Sequence, residues 1–317
     1  LVRSRGLGDV YKRQVGACLI TSSFFGLSFI FIKLVVDEIP LFSMLAWRNV
    51  IALIAMTICA AVGILDIHLK GKDLKLLLLL SLFQPILYYI FEALGVKMTT
   101  ASESGIIIAC IPIMTMIFSI IFLKDKPTRL QALFMVLTVA GAVIVAGIGG
   151  LQTSSNLLGY FILILAVCSD SAYSITSQKL KDFTSAEKTY AMCVSGTIVF
   201  TICAFIQNGT QGTIKEFVTL PFSDTGFLIC VLYLAIGCNI IAFLCSNYAI
   251  SIIGATRRSA FAAVSTVITV VAGVLYLHEP FTWLQALATA MILIGATGVN
   301  FAAKKDDGTQ KLADVPK

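Results

Sequence analysis

The amino-acid sequence predicts an all-α integral membrane protein, with ten transmembrane helices arranged as two inverted five-helix repeats. Three observations predict it: a composition too apolar for water, a series of apolar runs each about one bilayer long, and residues that match in register between the two halves. Of 317 residues, 58% are hydrophobic and 13% charged, against roughly 45–50% and 25% in soluble domains. Mean hydropathy is +0.94. A soluble fold of this length could not bury so much apolar surface, so lipid is the implied solvent.

A spanning helix needs roughly 20 mostly apolar residues. The chain supplies them near 15–36, 41–64, 74–96, 101–122, 129–148, 157–178, 188–207, 226–249, 256–277 and 281–302. The stretch before the first, Leu1–Gln14, has no apolar core and is not a signal peptide. It resembles translated adapter read-through, so residues 1–14 are set apart from the fold. Lys70, Lys72 and Lys75 divide the second run from the third, which opens with LKLLLLLSLF at 74–83. That continuity excludes the short alternating segments of a spanning β-barrel. Lys124, Lys126 and Arg129 close the fourth run. Leu130 to Ser169 carries no charge but is too long for one crossing; Gly147, Gly149, Gly150 and Thr153 to Asn156 break it in two. Lys179, Lys181 and Lys188 follow the sixth run, a polar link over 208–225 follows the seventh, and Arg257 and Arg258 begin the ninth. A tail, 304–317, ends the chain.

The net charge of +6 comes from basic residues in these links, which fits orientation in a membrane better than contact with nucleic acid. With the N-terminus inside, the cytoplasmic links and the tail hold most of the Lys and Arg, while the outer ones hold chiefly Lys97 and Lys215. N- and C-termini are therefore expected in the cytoplasm, in a multi-pass protein of the cell membrane. Asn208-Gly209-Thr210 in the outer link is a short glycosylation sequon. The nine Cys lie in apolar stretches without a C-x-x-C pair and read as inert thiols. The two His, His68 and His278, are far apart, so no metal and no cofactor is expected.

The halves match at a fixed offset. Ala101-Ser102 falls on Ala255-Thr256, Asp125 on Glu279, Leu130-Gln131-Ala132 on Leu284-Gln285-Ala286, and Gly141-Ala142 on Gly295-Ala296, each 154 residues on. Nearer the start of each half, Ser28 and Lys33 fall on Ser174 and Lys179 at an offset of 146. Each half, 15–148 and 157–303, holds an odd number of helices, so the second enters the membrane from the opposite side. Two such halves can exchange inward-open and outward-open shapes around a midplane site.

Ionisable groups within a bilayer are costly and face a cavity or a partner. Asp170, in CSDSAYSITSQ, lies within the sixth run with Ser174 and Ser177 one and two turns on. It reads as a substrate contact or proton carrier, or as an acid satisfied between helices. Ser81, Gln84, Tyr88 and Glu92 recur along the third helix, and its repeat mate offers Asn239, Phe243, Ser246 and Asn247. These are candidate walls of a central path, or interhelical hydrogen-bonding groups. Lys33, Arg48, Glu92 and Glu103 lie near the outer ends of their helices, either as a gate or, for Glu103 above all, solvated at the interface. Arg48 has the most apolar context and suits a substrate carboxylate. Pro85 and Pro112 are candidate hinges, Pro112 within the helix ACIPIMT.

The sequence is similar to the drug/metabolite transporter superfamily, EamA type. The resemblance is carried by YIFEALGVKMTTASESGIIIACIPI from Tyr89, KDKPTRLQA and AGAVIV, and again by NYAISIIGATRRSAFAAV and LHEPFTWLQA with ILIGATGVN. Asp125-Lys126 departs from the lone acid usual there. The resemblance implies ten helices, two EamA domains and transport of small metabolites, often export. No G-x-x-x-x-G-K-[ST] motif occurs, which argues against ATP drive by this chain. The expected function is alternating-access export of a small polar metabolite, an amino acid or a relative, with proton coupling through Asp170 or Glu92. Nucleosides, quaternary amines and nucleotide sugars are alternative cargoes, and a monomer or homodimer would suffice. A lipid-modifying enzyme would need a convergent catalytic cluster, for which two distant His give no basis.

Overall fold

The computed structural model describes residues 2–124, 128–150, 154–259 and 261–313. Among them every regular element is a helix and no strand occurs. Lipid offers backbone groups no partner, and helices satisfy theirs internally. In chain order the elements are α1 (Val2–Val36), α2 (Leu41–Ala61), α3 (Lys75–Ser81), the π-helical turn π1 (Leu82–Leu87), α4 (Tyr88–Met98), α5 (Ala101–Ile108), α6 (Ile111–Leu123) and α7 (Arg129–Gly150). There follow α8 (Ser154–Lys179), α9 (Ser185–Gln211), α10 (Ile214–Ser223), α11 (Thr225–Leu232), π2 (Tyr233–Ala242), α12 (Phe243–Ile253), α13 (Ala255–Ser259), α14 (Ala262–Tyr276) and α15 (Trp283–Ala313).

Among the described residues, eight helical stretches are long and apolar enough to cross a bilayer; two further apolar ones, Arg129–Gly141 and Trp283–Gly298, are shorter. Large apolar side chains such as Leu78, Leu133 and Ile206 face outward, while Arg48, Glu92 and Asp170 are buried. That inside-out distribution suits a lipid surround.

Contacts define two ends of the bundle. At one, Lys33 Nζ donates to the carbonyls of Val96 and Thr99 at 3.2 and 3.0 Å, closing the C-terminus of α4. Asn208 Nδ2 donates to Ser43 Oγ at 2.9 Å nearby, between α9 and α2. At the other end, Lys72 Nζ donates to both oxygens of Glu187 at 2.8 and 2.7 Å, and Gln178 Oε1 accepts from the Ala255 amide at 2.8 Å.

Helix starts are fixed by side chains at both ends. Thr100 Oγ1 and Glu103 form a reciprocal capping box on α5, and Thr184 and Glu187 another on α9. Glu103 is therefore buried in a cap, not solvated at an interface. Glu279 reaches the same terminus of α5, accepting from the amides of Ala101 and Ser102 at 2.6 and 2.8 Å. Its repeat mate Asp125, with Lys126, lies outside the described residues, as does Thr153.

The structure refines three readings of the sequence. Pro112 does not lie inside one continuous helix. The fourth crossing breaks between Ile108 and Ile111, and Pro112 occupies the first turn of α6, where no intrahelical N–H is required. The polar link over 208–225 is largely helical, since α9 runs to Gln211 and α10 fills Ile214–Ser223. Its sequon has no free acceptor, because Asn208 is buried with its amide committed to Ser43 and Ala204.

α7 and α15 pack closely through glycines. A Cβ on Gly141 would meet Ala288 O at 2.8 Å and Ile292 Cγ1 at 2.7 Å; one on Gly295 would meet Phe134 O at 2.7 Å and the Thr138 amide at 2.9 Å. Elsewhere Thr115 Oγ1 donates to Ser171 Oγ at 3.2 Å, tying α6 to α8. Thr269 Oγ1 donates to Gly26 O at 2.7 Å, tying α14 to α1.

Candidate functional site

The third crossing does not run straight. Pro85 has no N–H to give, and Gln84 takes φ −141° and ψ 115° inside π1, far from helical values. The apolar stretch Thr225–Ile253 carries its own widened turn, π2. It contains Gly237, where a Cβ would meet the Phe24 ring at 2.6 Å. Turns of this kind reorient the side chains they carry.

Gln84 and Tyr88 line a cavity with Asp170 of α8, Arg258 of α13, Phe25 of α1 and Phe243 of α12. Its volume is about 40 Å³, room for a few waters at the 10–15 Å³ or so each requires. Arg258 Nη1 lies 3.3 Å from Asp170 Oδ2 and both side chains are under a tenth exposed. Arg258 is thus no solvated link charge; α13 turns it inward onto α8. Lys188, also expected in a link, is buried and donates to Ser177 O at 2.7 Å, closing α8.

A second polar cluster adjoins the first through Tyr88, whose hydroxyl donates to Glu92 Oε1 at 3.0 Å. Arg48 Nη1 lies 3.9 Å from Glu92 Oε2, beyond hydrogen-bond range. Arg48 Nε donates to Asn239 Oδ1 at 2.8 Å, its guanidinium sits 3.8 Å above the Tyr89 ring, and Tyr89 donates to the same Asn239 oxygen. Asn239 of π2 thereby joins α2 and α4. Asn247 serves a different bracket: its Oδ1 accepts from Tyr173 and Ser177 at 2.9 and 2.8 Å, and its Nδ2 donates to Thr189 at 3.2 Å.

Of the residues singled out in the sequence, the fold gathers Asp170, Gln84, Tyr88 and Phe243 at one cavity. Glu92 stands one hydrogen bond behind Tyr88, and Arg48 and Asn239 bond each other beyond it. Asn247 lies outside the cavity lining, and Ser174 is buried one turn from Asp170 without lining it. Pro85 sits in the break of the third crossing, and Pro112 in the first turn after the break of the fourth. Sequence reasoning missed Arg258 and Tyr89.

Fold and site together define a class: a multi-pass helical membrane protein enclosing a small, mainly apolar cavity with a pair of opposite charges at its wall. The chain belongs to the EamA-like transporter family, which it matches twice, over residues 13–147 and 157–301. It is 35% identical over 291 residues to the uncharacterized transporter YcxC of Bacillus subtilis (strain 168), covering 91% of this chain and 93% of that one. An uncharacterized transporter of Archaeoglobus fulgidus is 23% identical over 282 residues, 87% of this chain and 94% of the other. A crystal structure 18% identical in sequence shares the fold, with a TM-score of 0.59 over 90% of this chain and 98% of that chain. The family and the names of the relatives indicate a transporter rather than an enzyme.

Proposed function

We propose that the chain is a secondary transporter that exports a small polar metabolite, an amino acid or a relative, across the cytoplasmic membrane by alternating access. The observation that carries this reading is the buried Asp170–Arg258 pair at a cavity walled by elements of both halves. A buried ion pair contributes little net stability, so its place at a cavity points to use.

In this reading ten helices form two inverted repeats. Support comes from contacts that exchange under the repeat offset. Gly141 meets residues 288 and 292 while Gly295 meets 134 and 138, each 154 residues from its counterpart. Thr115 bonds α8 while its mate Thr269 bonds α1. The equivalents Lys33 and Lys179 lie at opposite ends, beside Thr99 and Phe122 respectively. The Glu187 end faces the cytoplasm. Lys72, Lys188 and Arg258 are engaged within the fold and drop out of the tally, yet Lys70, Lys75, Lys124, Lys179 and Lys181 still outweigh Lys97 and Lys215.

A 40 Å³ cavity cannot hold an amino acid, so loading needs one end to part. The Arg48–Asn239–Glu92 cluster closes the Lys33 side, and the Asp170–Arg258 pair the other. Asp170 or Glu92 carries the proton when flux is driven by a pH gradient. The test is purified protein in liposomes, screened against a metabolite panel with and without that gradient. Export of at least one metabolite above empty vesicles is expected; none moving would refute transport. Asp170→Asn losing pH-driven flux while remaining folded supports the proton role, and unchanged flux removes it.

A further inference from the structure

We infer that the cavity selects a net-neutral zwitterion with an apolar side group, its carboxylate going to Arg258 and its ammonium to Asp170. The inference rests on the transporter reading above and narrows its cargo.

Charge balance is the first argument. Asp170 and Arg258 are the charged residues of the cavity wall, and they cancel. A lone cation or anion entering would leave one buried charge uncompensated, which is the costly case for an ion pair in low dielectric. A zwitterion brings one charge of each sign and leaves the sum at zero. The pair is also loosely made. Its single contact of 3.3 Å is long beside the 2.7–2.9 Å or so of a charge-assisted bond, so a ligand carboxylate and ammonium have better geometry to offer.

Gln84 supplies an independent argument. It is 0% exposed and lines the cavity, yet neither its Oε1 nor its Nε2 has a hydrogen-bond partner. A buried amide with both ends unmet is unfavourable unless something else meets them. Its N–H donates to a carboxylate and its oxygen accepts from an ammonium, the two groups a zwitterion carries side by side. Beside a few hydroxyls, those of Thr21, Ser22, Tyr88 and Ser265, the rest of the wall is mainly apolar, with Phe25, Phe29, Phe243 and Phe261, which suits an apolar side group.

The test compares ligands that differ only in charge. Leucine, valine and phenylalanine are the zwitterions, leucinamide the cation and 4-methylpentanoate the anion, at about pH 6, below the α-amino pKa. Binding to the purified full chain is read by protection against thermal unfolding, and flux in liposomes alongside. At least one zwitterion is expected to bind about tenfold or more tighter than either single-charge analogue. Gln84→Leu weakens that zwitterion about tenfold, and the double variant Asp170→Asn/Arg258→Gln brings the analogues within about threefold of one another. Equal binding of a single-charge analogue, or no binding by any of the three zwitterions, overturns the inference. Binding without flux leaves it standing and refutes the transporter reading; flux of cations or anions alone does the reverse.

Discussion

Arg258 stands in the sequence as half of an Arg-Arg pair between apolar runs, where any reader counts it as an orientation charge. Its partner is 88 residues away, and no local pattern announces a contact of that separation. Asp170 was legible because an acid so deep in an apolar run demands a reason; the reason itself needed the fold. The same holds for Asn239, whose role is to accept from both Arg48 and Tyr89. Pairing makes a prediction at this scale. Arg258→Gln strands a buried carboxylate and should cost about 3–5 kcal/mol, seen as a lowered unfolding midpoint in detergent. Adding Asp170→Asn to it should recover most of the loss, because the stranded charge is gone. Equal midpoints for the single and double variants would mean the two groups are not coupled.

Helix existence was readable from the length of the apolar runs, and Pro85 marked the break in the third crossing. Pro112 stands in the first turn after the Ile108–Ile111 interruption, so the residue was legible as a kink and the exact place of the break was not. The Thr100-to-Glu103 spacing is a capping signature that the reading of Glu103 as solvated at the interface obscured. Glu279 was visible as a family residue, and its task emerged only when the chain brought it to the amides of Ala101 and Ser102. Removing that carboxylate by Glu279→Ala should cost about 1–2 kcal/mol, by the worth of an N-terminal cap plus its charge; Glu279→Gln should lose less. Thermal unfolding of both variants decides this. Glycines at the α7–α15 seam give a sharper contrast. Gly295→Ala places a methyl 2.7 Å from Phe134 O, so the helices must separate and the unfolding midpoint fall. Gly209→Ala meets nothing nearer than Ile214 Cδ1 at 3.8 Å, and gains roughly 0.5–1 kcal/mol of helix propensity instead. A rise for both would remove the close-packed seam from the account.

At the scale of the molecule, exchanged contacts demand more than sequence similarity. Seam residues 141 and 295 each meet the other's neighbours, the pattern that the proposed two-fold rotation between the copies requires. A translation would set every copy of α7 against the same face of the next element and would leave no reciprocal pair. For a two-fold lying in the membrane plane, equivalent segments emerge on opposite sides. In the proposed arrangement the exposed links after α1 and after α8 are such equivalents, marked by Asp37 and Lys181. A short epitope inserted after Asp37 in the intact chain should be reached by antibody on whole cells with a permeable outer wall. The same epitope after Lys181 should be reached only once the membrane is opened. Lipid makes the result clear-cut, because neither link can cross without dragging charged residues through the bilayer, at about 2.5–3.5 kcal/mol each on insertion scales. Labelling of both links from the same side would place the halves in parallel, and no alternating-access cycle built on their exchange would survive that result.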